Sequence, residues 1–422
     1  MKAVILSAGQ GKRLAPLTLT RPKHLLPVGG RPILGYTLAA LSPHVDEITV
    51  VVGYKQEMIR EYLKRWEEEV HHSITLRCVT QKTLDGTASA LAETDYDEFI
   101  CVNGDVFFEK QLVDALVNLY REYGKSLLSA ARVSNPEHYG VVNISGKGEE
   151  VSPLGKIVEK PVKPGSNLVN IGVYIFTGSI YKHIQEVCVS ARGEFELTDA
   201  IQRLGREEDV LVYEYKGYWK DVGRPWDLLD LNRYVLGRMR DSVIGGFVDG
   251  KAVVVPPLVI GQGTTIKPGA YVEGPVVIGD DCEIGPNCYI RPYTSIGDDV
   301  KVGNAVEIKN SILFSHTRVA HLSYVGDSII GECCNLGAGT ITANLRHDGR
   351  NSELCVEGRV VDSGERKLGV VMGDNCKTGV GTMLYPGRKL GPNSWTNVGT
   401  IVRRDIPPNS ILHEDGTIER IT

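Results

Sequence analysis

Val277-Ile278-Gly279-Asp280-Asp281-Cys282-Glu283-Ile284-Gly285 carries an aliphatic residue followed by glycine, and then the same pair again six positions later. Extended in both directions, the frame takes in Ile260, Ile266, Val272, Ile278, Ile284, Ile290, Ile296, Val302 and Ile308, with glycine next at 261, 279, 285, 297 and 303. A six-residue step is neither the period of a helix nor the plain alternation of a strand. It fits a solenoid in which each hexapeptide forms one side of a triangular coil, its aliphatic residue pointing inward and glycine easing the corner. The frame is expected to lapse after Ile308, to resume at Val325-Gly326 with a slip, to continue at Ile330 and Leu336, and to return at Met372, Thr378, Leu384 and Leu390. The polar stretch from Leu345 to Lys367 is expected as a loop or finger expelled from the coil.

Upstream of this repeat the pattern is different. Ala3 to Leu6 and Glu47 to Val52 are short apolar runs, separated by amphipathic stretches near Leu34 to Leu41 and Glu57 to Glu69. Strands alternating with helices predict an α/β unit whose parallel sheet is covered on both faces. The expected division is an α/β domain over 1–225, a linking helix over 226–241 and the solenoid with its tail over 242–422, in keeping with a chain of 422 residues. With 47 basic and 52 acidic residues and a net charge of -5, the chain lacks the cation excess of a sequence-independent nucleic-acid binder, so small-molecule partners are expected. Nine cysteines stand without metal-ligand or disulfide spacing, which reads as reduced thiols and a cytoplasmic setting. No run of apolar residues is long enough to span a membrane, and a soluble protein is expected.

Chemistry enters the first half at Leu6-Ser7-Ala8-Gly9-Gln10-Gly11-Lys12-Arg13-Leu14, where a glycine-containing loop after the first strand can turn backbone N–H groups toward phosphate oxygens and Arg13 can add a fork of donors. Lys23 follows within Arg21-Pro22-Lys23-His24-Leu25-Leu26-Pro27. Asn103-Gly104-Asp105 closes an apolar strand, the end at which open α/β sheets bind ligands, and a second carboxylate stands in Trp219-Lys220-Asp221-Val222-Gly223. A glutamine amide in Gln81-Lys82-Thr83-Leu84-Asp85-Gly86-Thr87 offers a donor and an acceptor to a base edge.

Together these motifs resemble the sugar-1-phosphate nucleotidylyltransferases, in particular the glucose-1-phosphate thymidylyltransferase and uridylyltransferase branches, over roughly the first 230 residues. The resemblance implies a Rossmann-like, GT-A-like fold and a site in which Leu6, Gly9, Gly11, Gln81, Gly86 and Thr87 hold UTP or dTTP. It further implies that Arg13 and Lys23 act on the phosphates, Asp105 and Asp221 hold Mg²⁺, Gly140, Glu159 and Asn170 meet the sugar, and Lys160 meets its phosphate. The reaction so implied is attack of a sugar 1-phosphate, glucose-1-phosphate or N-acetylglucosamine-1-phosphate, on the α-phosphorus with release of pyrophosphate.

In the second half, Ala320-His321-Leu322-Ser323-Tyr324 and Asn335-Leu336-Gly337-Ala338-Gly339 through Asn344 coincide with the slip in the repeat. With the upstream Arg291-Pro292 and Glu307-Ile308-Lys309, this block is similar to the acetyltransferase half of bifunctional N-acetylglucosamine-1-phosphate uridylyltransferase/glucosamine-1-phosphate acetyltransferases, including the archaeal type. The resemblance implies a left-handed parallel β-helix that uses acetyl-CoA to acetylate glucosamine-1-phosphate or galactosamine-1-phosphate. By position His321 is the general base, Arg291 and Lys309 bind the sugar phosphate, Tyr324, Asn335 and Asn344 orient the sugar and the acetyl group, and Ala338 offers a backbone N–H near the thioester. Where the bacterial pattern has a lysine six residues after the last asparagine, this chain has Arg350, inside a longer insertion that also holds Arg366 and Lys367. Solenoids of this kind are trimers with sites between subunits, so a homotrimer or a multiple of it is implied. One competing reading is a non-catalytic sensor that keeps both folds, against which intact Arg13, Lys23, Asp105 and Asp221 speak; the other is a monofunctional enzyme, for instance a mannose-1-phosphate guanylyltransferase, whose solenoid serves only oligomerisation or regulation. Gln81 and the His321 to Asn344 block speak against it.

Overall fold

In the computed structural model, which describes residues 1–69, 74–146, 148 and 150–421, the chain forms two compact units. One comprises Met1–Gln10 with Ile33–Asp221, the other Gly11–Pro32 with Val222–Thr422. The segment that carries Arg13 and Lys23 therefore packs with the solenoid unit. No helix among the described residues is long and apolar enough to cross a membrane, and all nine cysteines are free thiols.

The first unit is built on β1 (Lys2–Ser7), β2 (Glu47–Val52), β3 (Thr75–Thr80), β4 (Glu98–Asn103), β5 (Val106–Phe108), β6 (Leu127–Arg132), β7 (Gly140–Ile144), β8 (Val151–Glu159), β9 (Leu168–Thr177), β10 (Leu211–Glu214) and β11 (Trp219–Asp221). Nine of these make one sheet in the order β3-β2-β1-β4-β9-β6-β10-β8-β7, and β5 pairs with β11. The pairs β1–β2, β1–β4 and β2–β3 are parallel. They are linked by helices such as Ile33–Leu41 and Gln56–Glu69, the latter burying Ile59, Leu63 and Trp66 along one side. The expectation of a parallel sheet holds for these pairs and for β6–β10, and fails for the others. β9 runs antiparallel to β4 and β6, and β8 antiparallel to β7 and β10. The connection from β7 to β8 is too short for a crossover helix, which fits the antiparallel pairing of these two strands.

The second unit is a left-handed parallel β-helix. Its nine frame residues are at most 1% exposed, and they stack in register: Ile260 on Ile278 on Ile296, Ile266 on Ile284 on Val302, Val272 on Ile290 on Ile308. Each coil thus spends three hexapeptides, and among the described residues the faces form sheets of eight, ten and eight strands. Coils lie so close that a Cβ on Gly303 would fall 1.9 Å from the carbonyl oxygen of Ala320. The frame does not lapse after Ile308, contrary to the sequence reading. Leu313 stacks on Ile296, Val319 on Val302 and Val325 on Ile308, because one residue is dropped from a single corner while the inward positions are kept. A second shortening separates Val325 from Ile330. The stretch from Leu345 to Lys367 does leave the stack: Leu345 bridges Lys367 at its base, and Glu353–Val356 pairs with Arg359–Asp362 as a hairpin. The coil then resumes with Met372 on Ile330, Thr378 on Leu336 and Leu384 on Thr342.

The helix Pro225–Gly237 opens this unit with proline in its first turn and Asp227 accepting from the Arg224 N–H at 2.7 Å. Its buried Asn232 accepts from the Gly29 N–H at 2.8 Å and the Ser295 hydroxyl at 2.6 Å, and donates to the Tyr293 carbonyl at 2.9 Å. One side chain therefore fastens helix, loop and coil within the unit. Because Ile284 is fully buried between Ile266 and Val302, Ile284→Ala should lower stability by about 2–5 kcal/mol. The check is the denaturant midpoint of the purified protein, which should fall without change in far-ultraviolet circular dichroism at zero denaturant.

Candidate functional sites

In the first unit Leu6, Gly9, Gln81 and Asp105 stand at or just beyond the carboxyl ends of the parallel strands, and Gly140, Glu159 and Asn170 on the antiparallel strands. Leu6 is paired with Val51 and Asn103, and the turn beyond β4 is closed by the Gly104 N–H donating to the Leu6 carbonyl at 3.0 Å. Gly9 follows Ala8, whose carbonyl accepts from the Tyr54 N–H at 3.0 Å. β11 lies antiparallel to β5 with Asp221 opposite Val106, the neighbour of Asp105. Two carboxylates far apart in sequence are thereby brought to one edge. Among the described residues no three His, Cys, Asp or Glu side chains cluster as a self-sufficient metal site.

Gln81 is buried, and its Nε2 donates to the Gly86 carbonyl at 3.0 Å and to the Ser89 hydroxyl at 3.1 Å. Both amide N–H groups are spent inside the loop, so of its amide only Oε1 is left, as an acceptor. Gly86 has φ 141, and a Cβ there would lie 2.3 Å from the Phe195 carbonyl oxygen. The Thr87 hydroxyl caps the Leu197 N–H at 3.1 Å. Gly140 and Glu159 are register partners on β7 and β8, and Asn170 Cβ would be 3.5 Å from a Cβ at Gly140, so these three are brought together. Asn170 Nδ2 donates to the Tyr174 hydroxyl at 2.6 Å while its Oδ1 accepts from the Gly172 N–H at 3.0 Å. Lys160 reaches Glu159 at 3.6 Å, and Arg192, to which the sequence reading gives no role, lies 3.3 Å from Glu159 and 3.0 Å from Glu196. Burial, and next the charge of Glu159, push the Glu196 carboxyl above its ordinary pKa.

In the second unit the segment Gly11–Pro32 folds tightly on itself and onto the coil. Gly11, at φ 66, accepts from the Thr18 hydroxyl at 2.9 Å, and a Cβ on it would be 3.1 Å from Lys23 Cβ. Gly11 and Lys23 are thus side by side. The guanidinium of Arg13 lies against Gly223, where an added Cβ would approach to 3.1 Å. Arg21 pins the segment: its Nη2 is 2.5 Å from Glu332 and 2.7 Å from Asp374, with the guanidinium 4.9 Å from the centre of the Phe314 ring. Burial pulls the Arg21 pKa down, but the charges and hydrogen bonds of Asp374 and Glu332 outweigh it and leave it raised.

The acetyltransferase candidates divide between faces of the coil. Arg291, Lys309, Tyr324 and Asn344 gather on one face and at the corner that follows it. Lys309 Nζ lies 3.1 Å from Asp327, Asn344 Nδ2 donates to Asp327 at 2.5 Å and to the Tyr324 hydroxyl at 3.1 Å, and Arg291 pairs with Glu307 at 2.8 Å. Burial raises the Tyr324 pKa, keeping its hydroxyl protonated. Asp327, the hub of this network, is nearly buried and is held also by Asn310 Nδ2 at 2.7 Å. The sequence reading gives neither Asp327 nor Asn310 a role. Their available signal is the shortened corner, since both take left-handed backbone there, φ 49 and φ 44. A cavity of about 480 Å³ opens beside them, lined also by Arg233, Arg366 and Lys367. His321 ends the strand Arg318–His321 on the preceding face, exposed, and Asn335 and Ala338 follow one coil along that same face, with the Gly339 N–H donating to the His321 carbonyl at 3.4 Å. These three do not line the cavity.

Residues 2–237 match the nucleotidyl transferase family. Over the whole chain the sequence is 41% identical to the bifunctional protein GlmU of Methanocaldococcus jannaschii, covering 98% of each protein. The chain belongs to this bifunctional family. A second member, the bifunctional sugar-1-phosphate nucleotidylyltransferase/acetyltransferase of Sulfurisphaera tokodaii, is 38% identical over 96% of this chain and 98% of the relative. Residues 272–385 also match the GMPPB C-terminal domain. A UDP-glucose pyrophosphorylase in complex with UDP-glucose superposes on 56% of this chain and 99% of its own with a TM-score of 0.52 at 22% identity, a likeness of fold.

For this family member, Arg21→Ala should strip two carboxylates of a shared buried partner, at a cost on the order of 3 kcal/mol. Amide hydrogen exchange over residues 11–32 should accelerate, and unchanged exchange there would show that Arg21 does not hold the segment.

Proposed function

We propose that the chain makes nucleotide sugars with two chemistries, one assigned to each half. In the first, UTP or dTTP gives its nucleotidyl group to a sugar 1-phosphate, glucose-1-phosphate or N-acetylglucosamine-1-phosphate. In the second, acetyl-CoA acetylates the amine of glucosamine-1-phosphate or galactosamine-1-phosphate. The observation that carries this reading is the full-length likeness to bifunctional relatives, which makes an oligomerisation-only solenoid the weaker alternative.

For nucleotidylyl transfer, the phosphate oxygen of the sugar 1-phosphate is already ionised near neutral pH and attacks the α-phosphorus in line with the departing pyrophosphate. No side chain has to remove a proton. Gly9 and Gly11 present backbone N–H groups, and Arg13 and Lys23 neutralise charge as it shifts onto the leaving group. Asp105 and Asp221 suit Mg²⁺, a hard cation that takes few protein ligands and completes its shell with water and phosphate; when bound it screens the triphosphate. The Gln81 carbonyl oxygen accepts an imide N–H of uracil or thymine, while Gly140, Glu159 and Asn170 take the sugar hydroxyls and Lys160 the sugar phosphate.

For acetyl transfer, the amine nitrogen attacks the thioester carbonyl, His321 takes the amine proton, the carbon–sulfur bond breaks and the thiolate of CoA leaves to be protonated. Ala338 N–H faces the carbonyl oxygen, Arg291 and Lys309 meet the phosphate, and Tyr324, Asn335 and Asn344 hold the sugar and the acetyl group. The separation of His321, Asn335 and Ala338 from the cavity residues by one face of the coil supports sites completed between neighbouring subunits, in a homotrimer or a multiple of it. A cytoplasmic setting suits these substrates.

A substrate matrix tests the assignment: each nucleoside triphosphate against each sugar 1-phosphate with pyrophosphate release as readout, and acetyl-CoA against each amino-sugar 1-phosphate with thiol release. UTP or dTTP should exceed GTP, and Arg13→Ala should lose most turnover while remaining folded. Preference for GTP, or near-normal turnover in the variant, would overturn it.

A further inference from the structure

The spacing that places a lysine in bacterial relatives falls here on Arg350, and Arg350 does not line the cavity. Its side chain is 80% exposed and lies 3.9 Å from Asp348, on a turn that Asp348 shares with Arg346 at 2.7 Å. The cations at the cavity wall come from elsewhere: Arg233, Arg291, Lys309, Arg366 and Lys367, against the carboxylates of Asp327 and Glu365. Lys309 already faces Asp327, and Arg291 already faces Glu307. A dianionic phosphate monoester entering this cavity needs positive charge beyond these two compensated pairs.

The return leg of the finger supplies it, and the backbone fixes where. Immediately after Lys367 the chain re-enters the coil through Leu368, fully buried, whose N–H donates to the Asn344 carbonyl at 3.0 Å, and Gly369, whose N–H donates to the Asp327 carbonyl at 2.8 Å. The finger base is closed by the Leu345–Lys367 bridge and by the Ser352 N–H donating to the Glu365 carbonyl at 2.9 Å. Arg366 and Lys367 are thus tied by main chain to two residues of the polar network on which the site is built. A guanidinium and an ammonium adjacent in sequence offer a planar fork and a compact point charge, the pairing that suits a terminal phosphate.

We propose that Arg366 and Lys367 bind the phosphate of the amino-sugar 1-phosphate acceptor, replacing the cation that sequence spacing would place at Arg350. This rests on the acetyl-transfer reading above. In the full chain, the double variant Arg366→Ala/Lys367→Ala should raise KM for glucosamine 1-phosphate roughly 10- to 100-fold, leave KM for acetyl-CoA within about twofold, and leave pyrophosphate release unchanged as a control for folding. Arg350→Ala should leave both KM values within about twofold. Calorimetric titration with glucosamine 1-phosphate, and with inorganic phosphate as the bare anion, should show the same loss of affinity in the double variant. Equal binding by wild type and double variant, or a larger KM effect from Arg350→Ala, overturns the proposal. If the wild type binds glucosamine 1-phosphate and the double variant does not, yet no acetyl transfer occurs, the anion site stands and the acetyltransferase reading falls.

Discussion

A coil of the β-helix closes only if a compact side chain, aliphatic in most coils and threonine at Thr342 and Thr378, fills its interior on each of three faces, and the whole second unit is organised around that requirement. Ile266, Ile284 and Val302 stack in one column and Val272, Ile290 and Ile308 in another, all of them fully buried. The consequence is that variation is expelled to corners. Where a residue is dropped, the inward columns continue unbroken through Leu313, Val319 and Val325, and the corner alone is rebuilt. Asn310 and Asp327 sit at two such rebuilt corners, stacked and hydrogen-bonded at 2.7 Å, and the cavity opens beside them. The finger of residues 345–367 obeys the same rule, leaving at one corner and returning to it without disturbing the stack.

That rigidity has a second use within the same unit. The segment Gly11–Pro32 carries Arg13 and Lys23 but has little secondary structure of its own, three short turns of 3-10 helix and a two-stranded pairing. It is ordered instead by Arg21 on Glu332 and Asp374 and by Asn232 on Gly29. The loop that carries Arg13 and Lys23 is thus held by residues of its own unit.

The repeat was legible in the sequence because burial inside a coil leaves almost no choice of side chain, and the period survives any single substitution. Three of the four parallel strands, β1, β2 and β4, were legible for the same reason, as apolar runs, whereas β3, with Thr75 and Arg77 exposed, carried no such run. What escaped was decided by contacts distant in the chain. Nothing local marks Arg21 as the partner of residues more than three hundred positions away, and the antiparallel pairing of β9 with β4 and β6 joins strands that are not consecutive in the chain. In the candidate sites, Gly140 and Glu159 meet by register, and Asp221 faces Val106, the residue after Asp105. Asp327 stands between two positions read in frame, Val325 and Ile330, but its contacts with Lys309, Asn310 and Asn344 join residues of neighbouring coils. Gln81 was legible as a residue but not as a geometry, since its two N–H groups turn inward to Gly86 and Ser89.

The central claim is that one chain houses two chemistries that can be removed one at a time. It is tested most directly by measuring pyrophosphate release and CoA thiol release side by side for wild type, Asp105→Asn and His321→Ala. The account predicts that Asp105→Asn loses pyrophosphate release and keeps thiol release, and that His321→Ala does the reverse. Loss of both activities in either variant, with folding retained, would contradict it.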